Sequence, residues 1–343
     1  MFNLNSLVRK NILELEPYSS ARDDFKGSDG VFLDANENPF GEENRYPDPY
    51  QKLVKKKLGE YKKMNTKNIF VGNGSDEIID LAFRIFCNPG KDKALTFSPT
   101  YGMYDVSANI NDVDLIKLPL DESFQIDLNT LNPLLKNENL KLIFICSPNN
   151  PTGNLLNKQS IKVILNQFNG VVIIDEAYID FSNSESWMKV IDDYPNLIVL
   201  QTFSKAWGLA NARVGVGYAN EKTIQLFNKV KPPYNVSGNN QLSVIKSLSN
   251  SAFFNLNLLT IKSEKIELEK QIKALIFVQK VYPSDANFLL VQVSDANFVY
   301  EELVRKRIII RNRNKIINNC IRVTVGTKNE NEQLISALKN IEL

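Results

Sequence analysis

Two hydrophobic patterns alternate along the first 240 residues. LKLIFICSP (140–148) and GVVIIDEAY (170–178) are near-continuous apolar runs, the pattern of parallel strands covered on both faces. KNIFVGNG (67–74), KALTFSP (93–99), NLIVLQTFS (196–204) and RVGVGYAN (213–220) continue the set. Between them lie helix patterns, SDEIIDLAFRIF (75–86) with Ser75 at its cap and YGMYDVSANI (101–110). Alternation over this length predicts a large doubly wound α/β domain over 31–240 with a mostly parallel sheet. Beyond it, LLTIKSEKIELEKQIKALIFVQK (258–280) has helical periodicity, and NFLLVQV (287–293), RIIIRN (307–312) and CIRVTV (320–325) read as strands before a closing helix. A smaller α+β domain over 241–343 is expected. An N-terminal arm over 1–30, ending in a polar turn (Gly27, Ser28, Asp29, Gly30), is expected to pack with it.

Composition narrows the chemistry. The chain of 343 residues is long enough to bury a core without disulfide or metal staples. Its 41 basic against 39 acidic residues leave a net charge of +2. That balance gives no reason to expect nucleic acid or an anionic membrane as partner. There is no histidine, which removes Ser-His-Asp, Cys-His and His-ligated zinc mechanisms together. Proton transfer must fall to Lys, Tyr, Asp, Glu, Cys or a bound cofactor. Cys87, Cys146 and Cys320 are scattered and odd in number, so a reducing cytoplasm is the expected location. The N-terminus lacks the apolar core of a signal peptide, and no apolar stretch approaches the roughly 20 residues needed to span a bilayer.

The acidic pair Asp175–Glu176 ends a buried strand pattern, and carboxyl ends of such strands are where open α/β sheets bind ligands. A nucleotide hydrolase would need G-x-x-x-x-G-K-[ST], which no segment supplies. A dinucleotide fold would need G-x-G-x-x-G, and neither Gly72–Asn73–Gly74 nor Gly215–Val216–Gly217 has the third glycine. An acidic pair can also merely cap a strand. Its neighbours argue otherwise. Thirty residues after Asp175 comes TFSKAWGLANARVG, with Lys205 behind Thr202 and Ser204 and ahead of Arg213. Upstream, SPNNPTG places Asn150 before Pro151. A lysine amine can condense with a carbonyl cofactor, and pyridoxal phosphate also needs an acid beside its ring nitrogen. Asp175 can be that acid, and Asn150 and Tyr178 can hydrogen-bond the ring's phenolic oxygen. Gly74, Ser75 and Asp76 open a helix, whose free N–H groups suit a phosphate.

These motifs, in this order, resemble the fold-type-I pyridoxal-phosphate aminotransferases over almost the whole chain. The resemblance implies pyridoxal 5′-phosphate as cofactor, with Thr202, Ser204 and Arg213 completing the phosphate cradle and Tyr101 stacking on the ring. LDANENPFG (33–41), RYPDPY (45–50), SPTYGMY (98–104) and CIRVTVGT (320–327) resemble the histidinol-phosphate aminotransferase family in particular. By that resemblance Tyr18, Asn36, Arg311 and Arg322 contact substrate, a guanidinium fork accepting either a carboxylate or a phosphate. Arg313, in the basic run RNRNK, is a neighbour that could be confused with Arg311. Tyr46 matches a position reaching across a homodimer interface to the partner's cofactor phosphate. The implied substrates are histidinol phosphate and glutamate or 2-oxoglutarate, in histidine biosynthesis. An aromatic-amino-acid aminotransferase or a threonine-phosphate decarboxylase would share every cofactor residue. A regulator with a DNA-binding module would need more than the roughly thirty residues that precede LDANENPFG.

Overall fold

The computed structural model describes residues 2–18 and 30–341. Gly27, Ser28 and Asp29 of the expected turn lie outside them. Seven strands form the main sheet: β1 Ile69–Asn73, β2 Lys93–Ser98, β3 Asp114–Pro119, β4 Leu140–Cys146, β5 Val171–Asp175, β6 Leu197–Thr202 and β7 Val214–Tyr218. Their order is β1-β7-β6-β5-β4-β2-β3. Pairings from β3 through β2, β4 and β5 to β6 are parallel, and β7 runs antiparallel to both β6 and β1. The chain thus has the expected α/β fold with a mostly parallel sheet.

The continuous apolar runs follow from covering both faces. Along β4, Ile143 and Ile145 point into one core and Leu142 and Phe144 into the other, the two-residue alternation of a strand. Helices α1 Leu4–Leu7, α2 Lys10–Leu13, α3 Lys52–Lys62, α4 Ser75–Phe86, α5 Met103–Ile110, α6 Leu128–Leu131 and α7 Lys158–Gln167 precede or interleave the first strands. They are followed by α8 Glu221–Val230, α9 Gly238–Ser249, α10 Ser251–Lys273, α11 Ala296–Arg305 and α12 Lys328–Lys339. Helices α4, α5 and α8 cover one face, and α3, α7 and α9 the other.

A second sheet, order β10-β11-β9-β8, is wholly antiparallel: β8 Val278–Val281, β9 Phe288–Val293, β10 Arg311–Asn312 and β11 Cys320–Thr324. One of its faces (Leu289, Val291, Ile321, Val323) packs on α10, α11 and α12.

Several expectations change. The helix expected over 258–280 begins at Ser251 and ends at Lys273, and β8 occupies its tail. Only Arg311–Asn312 of RIIIRN are strand, because Arg307 turns the chain with a φ of 60°. Ser75 is the first helical residue and Gly74 the cap. The expected boundary at 240 falls inside α9, whose Val244 and Leu248 belong to the large core, and the small core begins at Leu268. The described part of the arm packs on the large sheet's helices and not on the smaller domain. Val8 and Ile12 are buried with Ile85, and the Arg9 N–H donates to the Ile85 carbonyl.

Candidate active site

The carboxyl ends of β4, β5 and β6 share one edge of the large sheet. The reversal of β7 brings its first residue there too, since Val214 lies opposite Asn73 and Gly215 opposite Thr202. Asn150, Asp175, Thr202, Lys205 and Arg213 are therefore neighbours at this edge although 63 residues apart at the extremes.

The start of α4 rests on β7 at Gly215, where a Cβ would stand 2.2 Å from the Ser75 backbone nitrogen. Gly74 caps the helix at φ 76°, left-handed backbone that favours glycine. A Cβ there would meet Arg213 Nη2 at 2.8 Å. Arg213, itself at φ 49°, pairs with Asp76 at 3.4 Å and reaches Ser204 Oγ at 3.4 Å. The Ser204 N–H donates to Thr202 Oγ1 at 3.1 Å. The Tyr101 hydroxyl donates to Asp76 Oδ1 at 3.0 Å. No side chain caps α4, so its first N–H groups and the positive end of the helix stand uncapped beside Arg213.

Asp175 is buried at the floor. Its Oδ2 accepts from the Tyr104 hydroxyl at 2.8 Å and its Oδ1 from the Ala177 N–H at 3.0 Å. Burial pushes its carboxyl up to about 6 against the pull of those two donors. It forms no ion pair among the described residues. Lys205 Nζ lies 5.7 Å from the centre of the Tyr178 ring. Burial, then the Arg322 charge, hold the amine below the ordinary lysine range. Tyr178 meets Phe288 edge-on at 5.2 Å, and burial pushes the Tyr178 hydroxyl above its usual range. Arg322 from β11 lies over Phe288 at 5.1 Å and donates through Nη1 to Asn150 Oδ1. The small sheet thereby meets the ligand edge of the large one through Arg322 and Phe288.

Gly74, Ser75, Asp76, Tyr101, Asn150, Asp175, Tyr178, Thr202, Ser204, Lys205, Arg213 and Arg322 are thus gathered at one edge. Four expected residues are not among them. Tyr18 lines a small pocket with Pro49, Tyr50 and Lys231. Asn36 and Tyr46 line a second pocket with Tyr234, and Tyr46 stacks on Tyr234 at 4.4 Å. Arg311 is exposed on the edge strand β10, directly opposite Arg322.

The amino-acid sequence matches the family model described as Aminotransferase class I and II over residues 24–338. It is 50% identical to the histidinol-phosphate aminotransferase of Christiangramia forsetii over 99% of both chains. The chain belongs to the histidinol-phosphate aminotransferase family. The crystal structure of the histidinol-phosphate aminotransferase from Clostridium acetobutylicum is similar, with a TM-score of 0.79 at 26% identity, covering 87% of this chain and 90% of that one. The Sinorhizobium meliloti enzyme in complex with pyridoxal-5′-phosphate shares the fold, with a TM-score of 0.79 at 23% identity over 89% of each chain.

Within this family site, sequence reasoning missed Tyr104 and Phe288. Tyr104 had a faint signal, since it follows Tyr101 by the three-residue step that sets two side chains on neighbouring turns. Phe288 opens an ordinary buried strand, and nothing local separates it from core.

Proposed function

We propose that the protein transfers an amino group between histidinol phosphate and 2-oxoglutarate, with pyridoxal 5′-phosphate, the cofactor of class I and II aminotransferases. The observation that carries this reading is a buried carboxylate, Asp175, with no ion pair among the described residues, at the foot of a cleft with Lys205 at its mouth. Such a carboxylate is costly unless a cation meets it, and a protonated pyridine nitrogen is that cation. The rest of the donor set fits as well. The α4 N-terminus with Ser75, Ser204, Thr202 and Arg213 suits a phosphate. With its Oδ1 held by Arg322, Asn150 has Nδ2 to donate to the ring's phenolic oxygen, and the Tyr178 hydroxyl is a second donor. Tyr101 covers the ring.

When bound, the cofactor supplies the carbonyl that exchanges for an amine and a ring that takes up an electron pair from the substrate carbon. The protein's own residues do the remainder. Asp175 keeps a proton on the ring nitrogen. Lys205, its amine less basic than an ordinary lysine, takes and returns the proton of the substrate carbon. Arg322, with Arg311, Tyr18 and Asn36, receives the substrate's oxyanion. Two copies form a dimer in which Tyr46 serves the partner's phosphate cradle. Val31, Leu33 and Phe40, each more than 80% exposed, support a covered face beside Tyr46. We divide the chain within α10, after an arm and a large cofactor-binding domain. Three buried free cysteines suit a reducing cytoplasm.

Purified protein loaded with the cofactor should show a visible band that borohydride bleaches, leaving the reduced pyridoxyl group on Lys205. Lys205→Ala should still bind the cofactor yet not turn over. Histidinol phosphate should react faster than phenylalanine or threonine phosphate in single-turnover mixing. A label on another lysine, or preference for either rival substrate, overturns the reading.

A further inference from the structure

Arg311, Arg313 and Arg322 are gathered on one face of the small sheet. Arg311 lies opposite Arg322 in register. The Arg313 N–H donates to the Cys320 carbonyl at 2.8 Å, carrying the pairing one residue further. Strand alternation then puts all three side chains on the same face. The opposite face holds Leu289, Val291, Ile321 and Val323 in the small core. The arginine face includes Phe288 and looks toward Tyr178 and Lys205.

No carboxylate pairs with any of the three among the described residues. Nε of Arg313 and Nε of Arg322 are both buried with no hydrogen-bond partner. Burial, with the neighbouring guanidinium charges, brings Arg313 down to about 10, and its charge also acts on the Tyr178 hydroxyl. Two half-buried cations, Arg313 and Arg322, beside the exposed Arg311 and without acids are unfavourable. An anion carrying more than one charge would relieve all three.

We propose that Arg313 is a specificity-determining residue, a third guanidinium that reads the second negative charge of a phosphomonoester. The proposal rests on the functional reading above, in which Arg311 and Arg322 receive the substrate oxyanion, and it deepens that reading. A carboxylate offers one charge and two oxygens, which one planar fork satisfies. A phosphomonoester offers a second charge and a third oxygen. The site therefore prefers the dianionic tetrahedral group, while an amino-acid carboxylate uses the same arginines less fully.

Methyl phosphate and methyl sulfate have the same shape and differ by one charge at pH 8. Their inhibition constants against glutamate, measured on the cofactor-loaded protein, report the preference directly. Wild type should favour methyl phosphate by roughly tenfold or more, about what one additional charge-assisted contact supplies. Arg313→Gln should reduce that ratio to within about threefold, by weakening methyl phosphate, and Arg313→Lys should restore part of it. With histidinol phosphate, kcat/KM should fall about tenfold in Arg313→Gln, through KM, while the glutamate half-reaction changes by less than about threefold. Equal weakening of both probes, unrelieved by lysine, would reduce Arg313 to a packing role. Unchanged constants for both probes would place it outside the anion site. If wild type fails to turn over histidinol phosphate, the functional reading falls, but visible-band titration with the two probes still judges Arg313.

Discussion

At the scale of single residues, Asp175 and Glu176 show what adjacency in sequence leaves open. Both are buried acids at one strand end, yet they serve opposite sides of it. Asp175 meets Tyr104 and the cleft. Glu176 accepts from the Trp187 N–H at 2.7 Å, from Gln201 Nε2 at 3.0 Å and from the Ser186 hydroxyl. The two-residue alternation of the strand separates them, and local pattern alone does not say which one faces a ligand. Burial pushes Glu176 up to about 7. A carboxyl raised in this way binds its proton more tightly when folded than when unfolded. Its contribution is present below the unfolded value and is lost as pH rises toward 7, by up to about 3 kcal/mol. Glu176→Gln should therefore flatten the fall in melting temperature between pH 5 and pH 8. The same slope in variant and wild type would mean that Glu176 does not hold that proton.

Among elements, those that position the site were largely legible. The apolar runs located six of the seven large-sheet strands, and the helix pattern matched α4 from Ser75 to Phe86. Direction was not legible. A covered strand reads the same whichever way it runs, so nothing in RVGVGYAN announced that β7 is reversed and delivers Arg213 to the ligand edge. The edge strand β3 escaped because its side chains are only partly buried. The RIIIRN run misled because three isoleucines have strand character, although Ile309 is 71% exposed. Gly215 has a constraint that a strand glycine usually lacks, since the first turn of α4, the proposed phosphate seat, sits directly on it. Gly215→Ala would drive a Cβ into backbone, which cannot yield as a flexible side chain does. We expect a loss of about 1–3 kcal/mol together with weaker cofactor binding, read by thermal melting and by cofactor titration. Unchanged cofactor affinity in a destabilised variant would show that this contact supports the fold alone.

For the whole molecule, the motifs and the family resemblance proposed the lysine, the acid and the cradle, but not how two sheets meet beside them. Phe288 and Arg313 enter the site from the second sheet, and only the tertiary fold brings them there. Tyr18, Asn36 and Tyr46 line pockets away from Lys205, as residues would if their work is done across a dimer. Mixing Tyr46→Ala with Lys205→Ala tests this for Tyr46. If Tyr46 acts in trans, a mixed dimer holds one site with both defects and one with neither, and activity should partly return. No recovery, with subunit exchange demonstrated and the Tyr46→Ala parent impaired, would assign Tyr46 to its own subunit or to no site. The hydrogen bond from Arg322 to Asn150 Oδ1 has a consequence of another kind. A carboxamide is polar at both ends and nearly symmetric in outline, so packing alone cannot tell its oxygen from its nitrogen. The arginine makes that choice by claiming the oxygen, and the donor end is left for the ring in the proposed site. Remove the guanidinium and the amide is free to turn over, offering an acceptor where a donor is wanted. A residue assigned to grip the substrate thus also keeps the polarity of the cofactor's seat, from the far side of a second sheet.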